Sequence, residues 1–213
     1  YKRKEIRKKI KKIKKKEKIF DPNICQKYLK KFKFILTNDQ IKAMKEINND
    51  LKSKQRMFRL LQGDVGSGKT IIALIAALNV IKSGFQVALM VPTEILAKQH
   101  YNFASDLFGK DISIELLTGK TEYKQKKSTL ENIKQNKIKL IIGTHALFQK
   151  KVDYKNLGLI IIDEQHKFGV RQRKELSDKG GNNCDVLVMS ATPIPRTMTV
   201  SYTHLTLPTI YSV

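Results

Sequence analysis

The sequence predicts an α/β fold in which a mostly parallel β-sheet has helices on both faces. Short apolar runs alternate along the chain with longer amphipathic stretches, which is the pattern of strands joined by crossover helices. Polar residues suited to chemistry follow several of these runs, where the carboxyl ends of parallel strands hold ligand sites. Hydrophobic residues make up 41% of the 213 residues, which is enough for a packed core.

The spacing of the apolar residues assigns each element in order. Short apolar runs predict strands, and apolar residues three or four apart predict helices. Thr37 or Asn38 is expected to cap the first helix of the fold. The predicted strands are residues 57–61, 86–91, 112–117, 140–142, 159–162 and 186–189, and the predicted helices are residues 41–51, 71–81, 94–108 and 123–135.

A glycine-rich segment between the first strand and the second helix has the spacing G-x-x-x-x-G-K-[ST] of a phosphate-binding loop. Its backbone N–H groups and the helix N-terminus would face phosphate oxygens, Lys69 would reach the β- and γ-phosphates, and Thr70 would hold Mg²⁺. The alternative is a glycine-rich turn with a chance lysine, which the flanking strand and helix disfavour. The expected phosphate site comprises Gly63, Asp64, Val65, Gly66, Ser67, Gly68, Lys69 and Thr70.

A pair of carboxylates ends a later apolar strand, at Asp163 and Glu164. Such a pair can place one carboxylate on the metal and leave the other to polarise an attacking water. We assign Asp163 to Mg²⁺, directly or through water, and Glu164 to the general base. A lone acidic turn is the alternative, which becomes improbable behind a phosphate-binding loop. Ser190 and Thr192 follow the next strand and could bond to these carboxylates or to His166, and so report the state of the γ-phosphate. On their own, these residues would indicate only a turn.

Gln40 lies at the start of the first predicted helix, upstream of the phosphate-binding loop. Its amide could present both a donor and an acceptor to an adenine edge. Taken alone, however, it is an ordinary surface glutamine.

The formal net charge of +23 favours a polyanionic partner, with nucleic acid as the default. Lysine, isoleucine and asparagine all have AT-rich codons, so genome composition accounts for part of this excess. Cys25 and Cys184 match no metal-ligand spacing and are expected to be reduced, structural cysteines of a cytoplasmic protein. No apolar run reaches the length of a membrane span, and the basic N-terminus lacks the apolar core of a signal peptide.

The two ends of the chain differ in composition from the middle. Residues 1–18 are mostly basic, and Ile6, Ile10 and Ile13, with Ile19 as a further candidate, have spacings that would form a thin apolar stripe on a helix. Such a helix could lie along a phosphate backbone, and the alternative is a frayed or disordered arm. A domain boundary is expected near Phe34. Residues 201–213 contain no Lys, Arg, Asp or Glu, and we expect a non-native tail, with a native edge strand as the alternative.

Five sequence motifs follow one another along the chain. They are G-D-V-G-S-G-K-T at 63–70, P-T-E-I-L-A at 92–97, G-T-H-A-L at 143–147, D-E-Q-H at 163–166 and S-A-T-P-I-P-R-T at 190–197. With these motifs the chain resembles the first motor domain of a superfamily 2 helicase, and more narrowly the RecG family of DNA branch-migration translocases. The resemblance covers about residues 32–197. Ser67 and Gln165 separate RecG-like sequences from transcription–repair coupling factors, which usually carry Phe and Glu there.

The resemblance implies a RecA-like lobe that uses ATP and Mg²⁺. It implies that Phe34 and Gln40 form an adenine-recognising motif. The residues that it implies in catalysis are Lys69, Asp163, Glu164 and His166. Those that would couple the state of the nucleotide to DNA binding are His166, Ser190 and Thr192. The residues expected to touch the DNA backbone are Pro92, Thr93, Gly119, Thr144 and His145.

Family members reverse stalled forks and migrate Holliday junctions. Lys33 and Lys167 depart mildly from the family pattern, which usually has proline and arginine there. A second RecA-like lobe, with its arginine finger, and a wedge domain are missing from the chain. We therefore expect residues 1–33 to form a basic helical linker segment, residues 34–200 an ATP-binding lobe that binds ATP better than it hydrolyses it, and residues 201–213 the tail. The rivals are a coupling-factor-like translocase and a non-catalytic nucleotide-binding or nucleic-acid-binding module.

Overall fold

A seven-stranded sheet organises the computed structural model, which describes residues 15–21, 23–31, 35–149, 151–163, 181–191 and 201–204. The strand order is β3-β4-β2-β5-β6-β1-β7, and all neighbouring strands are parallel. The strands are β1 (Phe58–Gln62), β2 (Gln86–Met90), β3 (Ile114–Leu117), β4 (Leu140–Gly143), β5 (Leu157–Asp163), β6 (Asp185–Ser190) and β7 (Ser201–His204).

Five α-helices lie within the described part of the chain. Short 3-10 helices follow α4 and β4 and precede β6, at Gly109–Asp111, His145–Phe148 and Gly181–Asn183. The α-helices are α1 (Ile24–Lys31), α2 (Asn38–Lys52), α3 (Lys69–Lys82), α4 (Glu94–Phe108) and α5 (Tyr123–Lys134).

Alternate residues of the central strands enter two separate cores, as the two-residue period of a strand requires. On one face, strand residues such as Leu61, Leu89 and Ile161 pack with buried side chains of α1 to α4. On the other face, Leu60, Met90 and their neighbours pack with Ile133 of α5 and the segment after β4. The expected α/β architecture is confirmed, with helices on both faces.

Helix α3 is buried on every side, because residues 71–81 are all enclosed by the sheet and the neighbouring helices. A helix that is apolar all round fits only inside a core. Its one buried amide, Asn79, donates to Asn48 Oδ1 at 2.9 Å and accepts from Cys25 Sγ at 3.1 Å, which links α1, α2 and α3. This enclosure fixes the N-terminus of α3, where the phosphate-binding loop ends.

The predicted elements are all present, with ends shifted by a few residues. Helix α4 has the predicted bounds, whereas β3 begins at Ile114 rather than at residue 112, and β5 extends two residues further back than expected. Of the two caps considered for α2, Thr37 is the one observed, and it forms a capping box with Gln40. Helix α1 was not predicted.

The described part of the basic N-terminal segment packs onto the sheet. Lys15 to Phe20 have no regular secondary structure, so a helix continuing to Ile19 was wrong there; residues 1–14, with Ile6, Ile10 and Ile13, lie outside the described residues. Phe20 and the α1 side chains Cys25 and Tyr28 enter the larger core. The division at residue 34 stays a prediction.

The edge strand β7 lies in the segment expected to be a foreign tail. Ser201 to His204 pair in parallel with Arg59 to Gln62 of β1, which is the conformation of the native-strand alternative. Strand pairing concerns conformation and not origin, so the foreign origin of residues 201–213 stays a prediction. Residues 205–213 lie outside the described part.

Two further sequence observations have structural counterparts. Cys25 and Cys184 are free and buried, and burial raises their thiol pKa values to about 11 and about 12. Among the described helices, none is long and apolar enough to cross a membrane.

Candidate active site

The residues expected to carry chemistry meet at one edge of the sheet, because parallel strands place all their carboxyl ends together. Strands β1, β5 and β6 are neighbours in the sheet and lead to the phosphate-binding loop, Asp163 and Ser190. Strands β3, β4 and β2 form the other half and lead to the expected DNA contacts. The strand order therefore separates the residues expected to hold a nucleotide, the nucleotide half, from those expected to contact DNA, the DNA half.

Two glycines give the phosphate-binding loop its shape. Gly66 and Gly68 have φ of 82° and 77°, in the left-handed region that favours glycine. Gly68 is also the N-cap of α3, with no side chain in the way of the first-turn N–H groups. The sequence thus builds an anion-binding helix N-terminus directly after a buried strand.

The Lys69 ammonium lies folded back over this loop. Its Nζ donates to the carbonyl oxygens of Gly63 and Asp64, both at 2.7 Å, and to Ser67 Oγ at 3.3 Å. Phosphate oxygens carry charge and are stronger acceptors than neutral carbonyls. A nucleotide phosphate in the loop would therefore compete for this ammonium.

Gln40 contacts the phosphate-binding loop directly. It is buried, its Nε2 donates to the carbonyl of Ser67 at 3.0 Å, and its Oε1 accepts from Thr37 N at 2.9 Å. The contact with Ser67 uses one of the two hydrogens on Nε2, and the contact with Thr37 uses one of the two lone pairs on Oε1. The surface-glutamine alternative is wrong, and adenine recognition by Gln40 stays a prediction.

A cavity of about 360 Å³ opens between the loop and α4. Asp163, at the end of β5, is partly buried, and its Oδ2 lies 3.0 Å from Nε2 of His100. The cavity thus brings together the loop, the strand-end carboxylate and one face of α4. Its walls are formed by Val65, Gly66, Lys69, Thr70, Leu96, Gln99, His100, Phe103, Asp163 and Ala191.

The donor set of this cavity suits Mg²⁺ that arrives with a nucleotide. Thr70 and Asp163 supply a hydroxyl and a carboxylate, which are oxygen ligands of the kind Mg²⁺ prefers, and phosphates supply others. Among the described residues no group of three or more His, Cys, Asp or Glu could hold a metal alone. The described donors Thr70 and Asp163 fit a metal that is bound together with phosphate.

The five expected DNA contacts all follow strands of the other half, but they differ in exposure. Thr93 caps α4, its Oγ1 accepting from Leu96 N at 3.3 Å, and is exposed, as are Gly119 and His145. Pro92 is half-buried. Thr144 is buried, and its hydroxyl has no hydrogen-bond partner within the described residues. The DNA roles of all five stay predictions.

Other predicted site residues are only partly described. Ser190 is fully buried at the end of β6, and its carbonyl accepts from Gly63 N at 3.3 Å, which joins this strand end to the phosphate-binding loop. Phe34, Glu164, His166 and Thr192 lie outside the described residues.

His100 is the site residue that the sequence reasoning missed. It lies on the buried face of α4 between Ala97 and Ala104, so it is a polar residue in an apolar stripe. That position is the signal that could have found it, since a buried polar group needs a partner. The partner, Asp163, is 63 residues away and is evident only in the fold.

Comparison with known proteins agrees with this geometry. The DEAD/DEAH box helicase family matches residues 37–200. The chain is 54% identical over 194 residues to an ATP-dependent DNA helicase RecG of Aquifex aeolicus, covering 88% of this chain and 24% of that protein. A RecG of Bacillus subtilis is 50% identical, with 85% and 27% covered. The chain thus spans about a quarter of the length of these relatives.

Solved structures of helicases also superpose on this chain. A structure of RecG bound to a three-way DNA junction superposes with a TM-score of 0.80 at 45% identity, covering 91% of this chain and 26% of that one. The DEAD-box helicase Mss116 bound to ssRNA and UDP-BeF has a TM-score of 0.65 at 20% identity, covering 83% and 39%, and supports the fold alone. The chain belongs to the DEAD/DEAH box helicase family, and its resemblance to RecG helicases is confirmed.

Proposed function

We propose that this chain is the ATP-binding motor lobe of a DNA helicase that acts on branched DNA. The observation that carries the proposal is the division of one sheet edge, where a phosphate-binding loop and Asp163 share a cavity while the exposed Thr93, Gly119 and His145 follow the adjacent strands. Similarity to RecG supports DNA as the nucleic acid and a junction as its form.

Each residue of the nucleotide half has a defined task in this proposal. The loop N–H groups and Lys69 hold the phosphates, exchanging the carbonyl contacts of Gly63 and Asp64 for charged oxygens. Gln40 holds the loop through Ser67 and keeps one N–H and one lone pair for adenine. Glu164 accepts a proton from the water that attacks the γ-phosphorus, and ADP leaves as the bond to its β-phosphate oxygen breaks.

Thr70 and Asp163 would hold Mg²⁺, which when bound neutralises charge on the β- and γ-phosphates. Binding and orienting the nucleotide are the tasks of this lobe. A second lobe would add an arginine finger, which raises the rate of related nucleotide hydrolases by about 10³ to 10⁵. We expect the chain alone to bind Mg-ATP and to hydrolyse it slowly.

ATP hydrolysis with and without forked DNA tests the proposal. The chain is assayed alone and joined to the segment that follows the equivalent lobe in the Bacillus subtilis relative. We expect DNA-stimulated hydrolysis only from the joined protein. Lys69→Ala and Glu164→Gln should each abolish it, whereas Lys98→Ala, an exposed lysine of α4, should leave it unchanged. Nucleotide binding without hydrolysis in the joined protein would instead identify a binding module.

A further inference from the structure

His100 and Asp163 form a short contact at the wall of the nucleotide cavity. Nε2 of His100 lies 3.0 Å from Oδ2 of Asp163, and the two side chains are only 11% and 14% exposed. Both residues line the cavity that contains Lys69 and Thr70. The contact joins α4 to the end of β5, two elements that are distant in the sequence and that the fold brings together.

The direction of this hydrogen bond follows from its chemistry. An ionised carboxylate has no proton to give and accepts only, so the bond exists only when Nε2 of His100 carries a hydrogen. The neutral Nε2–H tautomer meets this need without adding a charge. The donor then engages Oδ2, and Oδ1 is the oxygen left for other ligands.

The imidazole is well placed to hold the carboxylate still. His100 is on the buried stripe of α4, flanked by Ala97 and Ala104, which are fully buried. Leu96 and Phe103, one turn before and after it, pack against the larger core and also line the cavity. A ring fixed in this way restrains a carboxylate better than a solvated side chain does.

We propose that His100 is a positioning residue that orients the Asp163 carboxylate toward the metal of bound Mg-ATP. The inference rests on the proposed nucleotide function, since it concerns the same cavity. Groups that hydrogen-bond a metal ligand from behind are commonly worth about 10- to 100-fold in metal affinity. A residue with only a packing role would have no such effect on metal dependence.

The test measures ATP dissociation constants of the full chain in EDTA and in Mg²⁺ and takes their ratio. His100→Leu keeps volume and removes the donor, and His100→Gln keeps an N–H that can reach the same oxygen. We expect the Leu variant to lose about tenfold of the Mg²⁺-dependent gain. The Gln variant and the Lys98→Ala control should stay within about threefold of the unmodified chain, and all four should bind ATP alike in EDTA.

Two outcomes separate this inference from the proposed function. If the unmodified chain binds ATP more tightly with Mg²⁺ and His100→Leu keeps the full gain, the positioning role is wrong and the nucleotide function stands. If the unmodified chain binds no ATP, both are wrong.

A second measurement does not depend on a folded variant. Nitrogen-15 NMR of the unmodified chain reports which imidazole nitrogen carries the hydrogen. We expect His100 in the Nε2–H tautomer, whereas the exposed His145 serves as a solvent-averaged reference. A His100 with the hydrogen on Nδ1 alone would overturn the proposal.

Discussion

Gly66 and Gly68 have nearly the same positive φ but different surroundings. Substitutions at the two positions can therefore distinguish the cost of backbone strain from the cost of a steric clash. A Cβ at Gly66 would meet open space. A Cβ at Gly68 would lie 2.5 Å from Nε2 of Gln40, the atom that bonds to Ser67. The second glycine is required by both its conformation and its neighbour.

Substitution of these glycines should rank accordingly. Gly66→Ala should cost about 1–2 kcal/mol of unfolding free energy, the strain of a left-handed non-glycine residue. Gly68→Ala should cost about 1–3 kcal/mol more, because Gln40 must leave the Ser67 carbonyl or the loop must shift. Urea unfolding of the two variants measures the difference, and equal costs would contradict the assigned steric role.

A double-mutant cycle isolates the contact with Gln40. Gln40→Ala removes Nε2, so a Cβ at position 68 then meets no side-chain amide. The double variant Gly68→Ala with Gln40→Ala should therefore be more stable than the sum of the single costs by about 0.5–3 kcal/mol. Simple additivity would mean that the two sites do not interact.

Residue-level prediction from the sequence was correct about the positions of residues whose motif is local, whereas the roles of these residues stay predictions. Lys69 and Thr70 lie at the N-terminus of a helix after a buried strand, and Asp163 ends another. It failed for His100, whose importance depends on a partner distant in the chain, and for the buried position of Thr144. Long-range contacts of this kind are properties of the packed fold.

At the scale of elements, Asp185 anchors the amino end of β6 and the N-terminal segment. Its carboxylate accepts from Lys15 Nζ at 2.8 Å, Lys18 Nζ at 2.6 Å and Met57 N at 2.6 Å, and all three charged side chains are fully buried. Burial lowers the pKa of Lys15, and the charge of Asp185 opposes that shift. One carboxylate is thus the shared hydrogen-bond acceptor and direct ion-pair partner of two buried ammonium groups.

Removal of that charge should be costly. Asp185→Asn keeps the shape and the acceptor for Met57 N but removes the carboxylate charge that both lysines contact directly, so we expect a loss of about 3–5 kcal/mol in urea unfolding at pH 7. The control is Asp153→Asn. The Asp153 Oδ2 atom lies 3.8 Å from Lys134 Nζ, and both side chains are mostly exposed, so this substitution should cost less than about 1 kcal/mol of unfolding free energy. Similar costs for both would refute the anchor.

The cost of Asp185→Asn should also fall as pH rises toward 10. Without Asp185 the pKa of Lys15 in the folded variant is lowered further, while that of the unfolded chain stays ordinary. At pH values between the pKa of Lys15 in the folded variant and its pKa in the unfolded chain, the unfolded chain binds more protons than the folded variant. The stability of the variant therefore increases with pH over this range. A cost that grows with pH over this range would contradict the assignment.

Element-level prediction depended on the strength of each pattern. The long amphipathic helix α4 was predicted to the residue, whereas α1 has only eight residues, several of them lysines. Strand β7 has four residues and a polar composition, and its conformation depends on pairing with β1. Short elements are set by tertiary partners more than by their own sequence.

At the scale of the whole molecule, one sheet edge carries both halves of the proposed site. From β3 to β1 the order crosses five strand spacings, about 24 Å at about 4.8 Å each. The predicted DNA contacts follow β3, β4 and β2, and the nucleotide residues follow β5, β6 and β1. The parallel sheet thus connects the two proposed ligand sites, which need not share a side chain.

Hydrogen exchange of the full chain, with Mg-ATP or forked DNA added separately, tests this division most directly. Mg-ATP should slow exchange in residues 63–70, at the end of β5 and in the part of α4 that lines the cavity, and leave residues 119 and 144–145 unchanged. Forked DNA should slow exchange at the amides of Thr93, Gly119, Thr144 and His145 and not in the phosphate-binding loop; Pro92 has no amide hydrogen to exchange. Protection of the same segments by both ligands, or of neither half by DNA, would contradict the proposed division of the sheet edge.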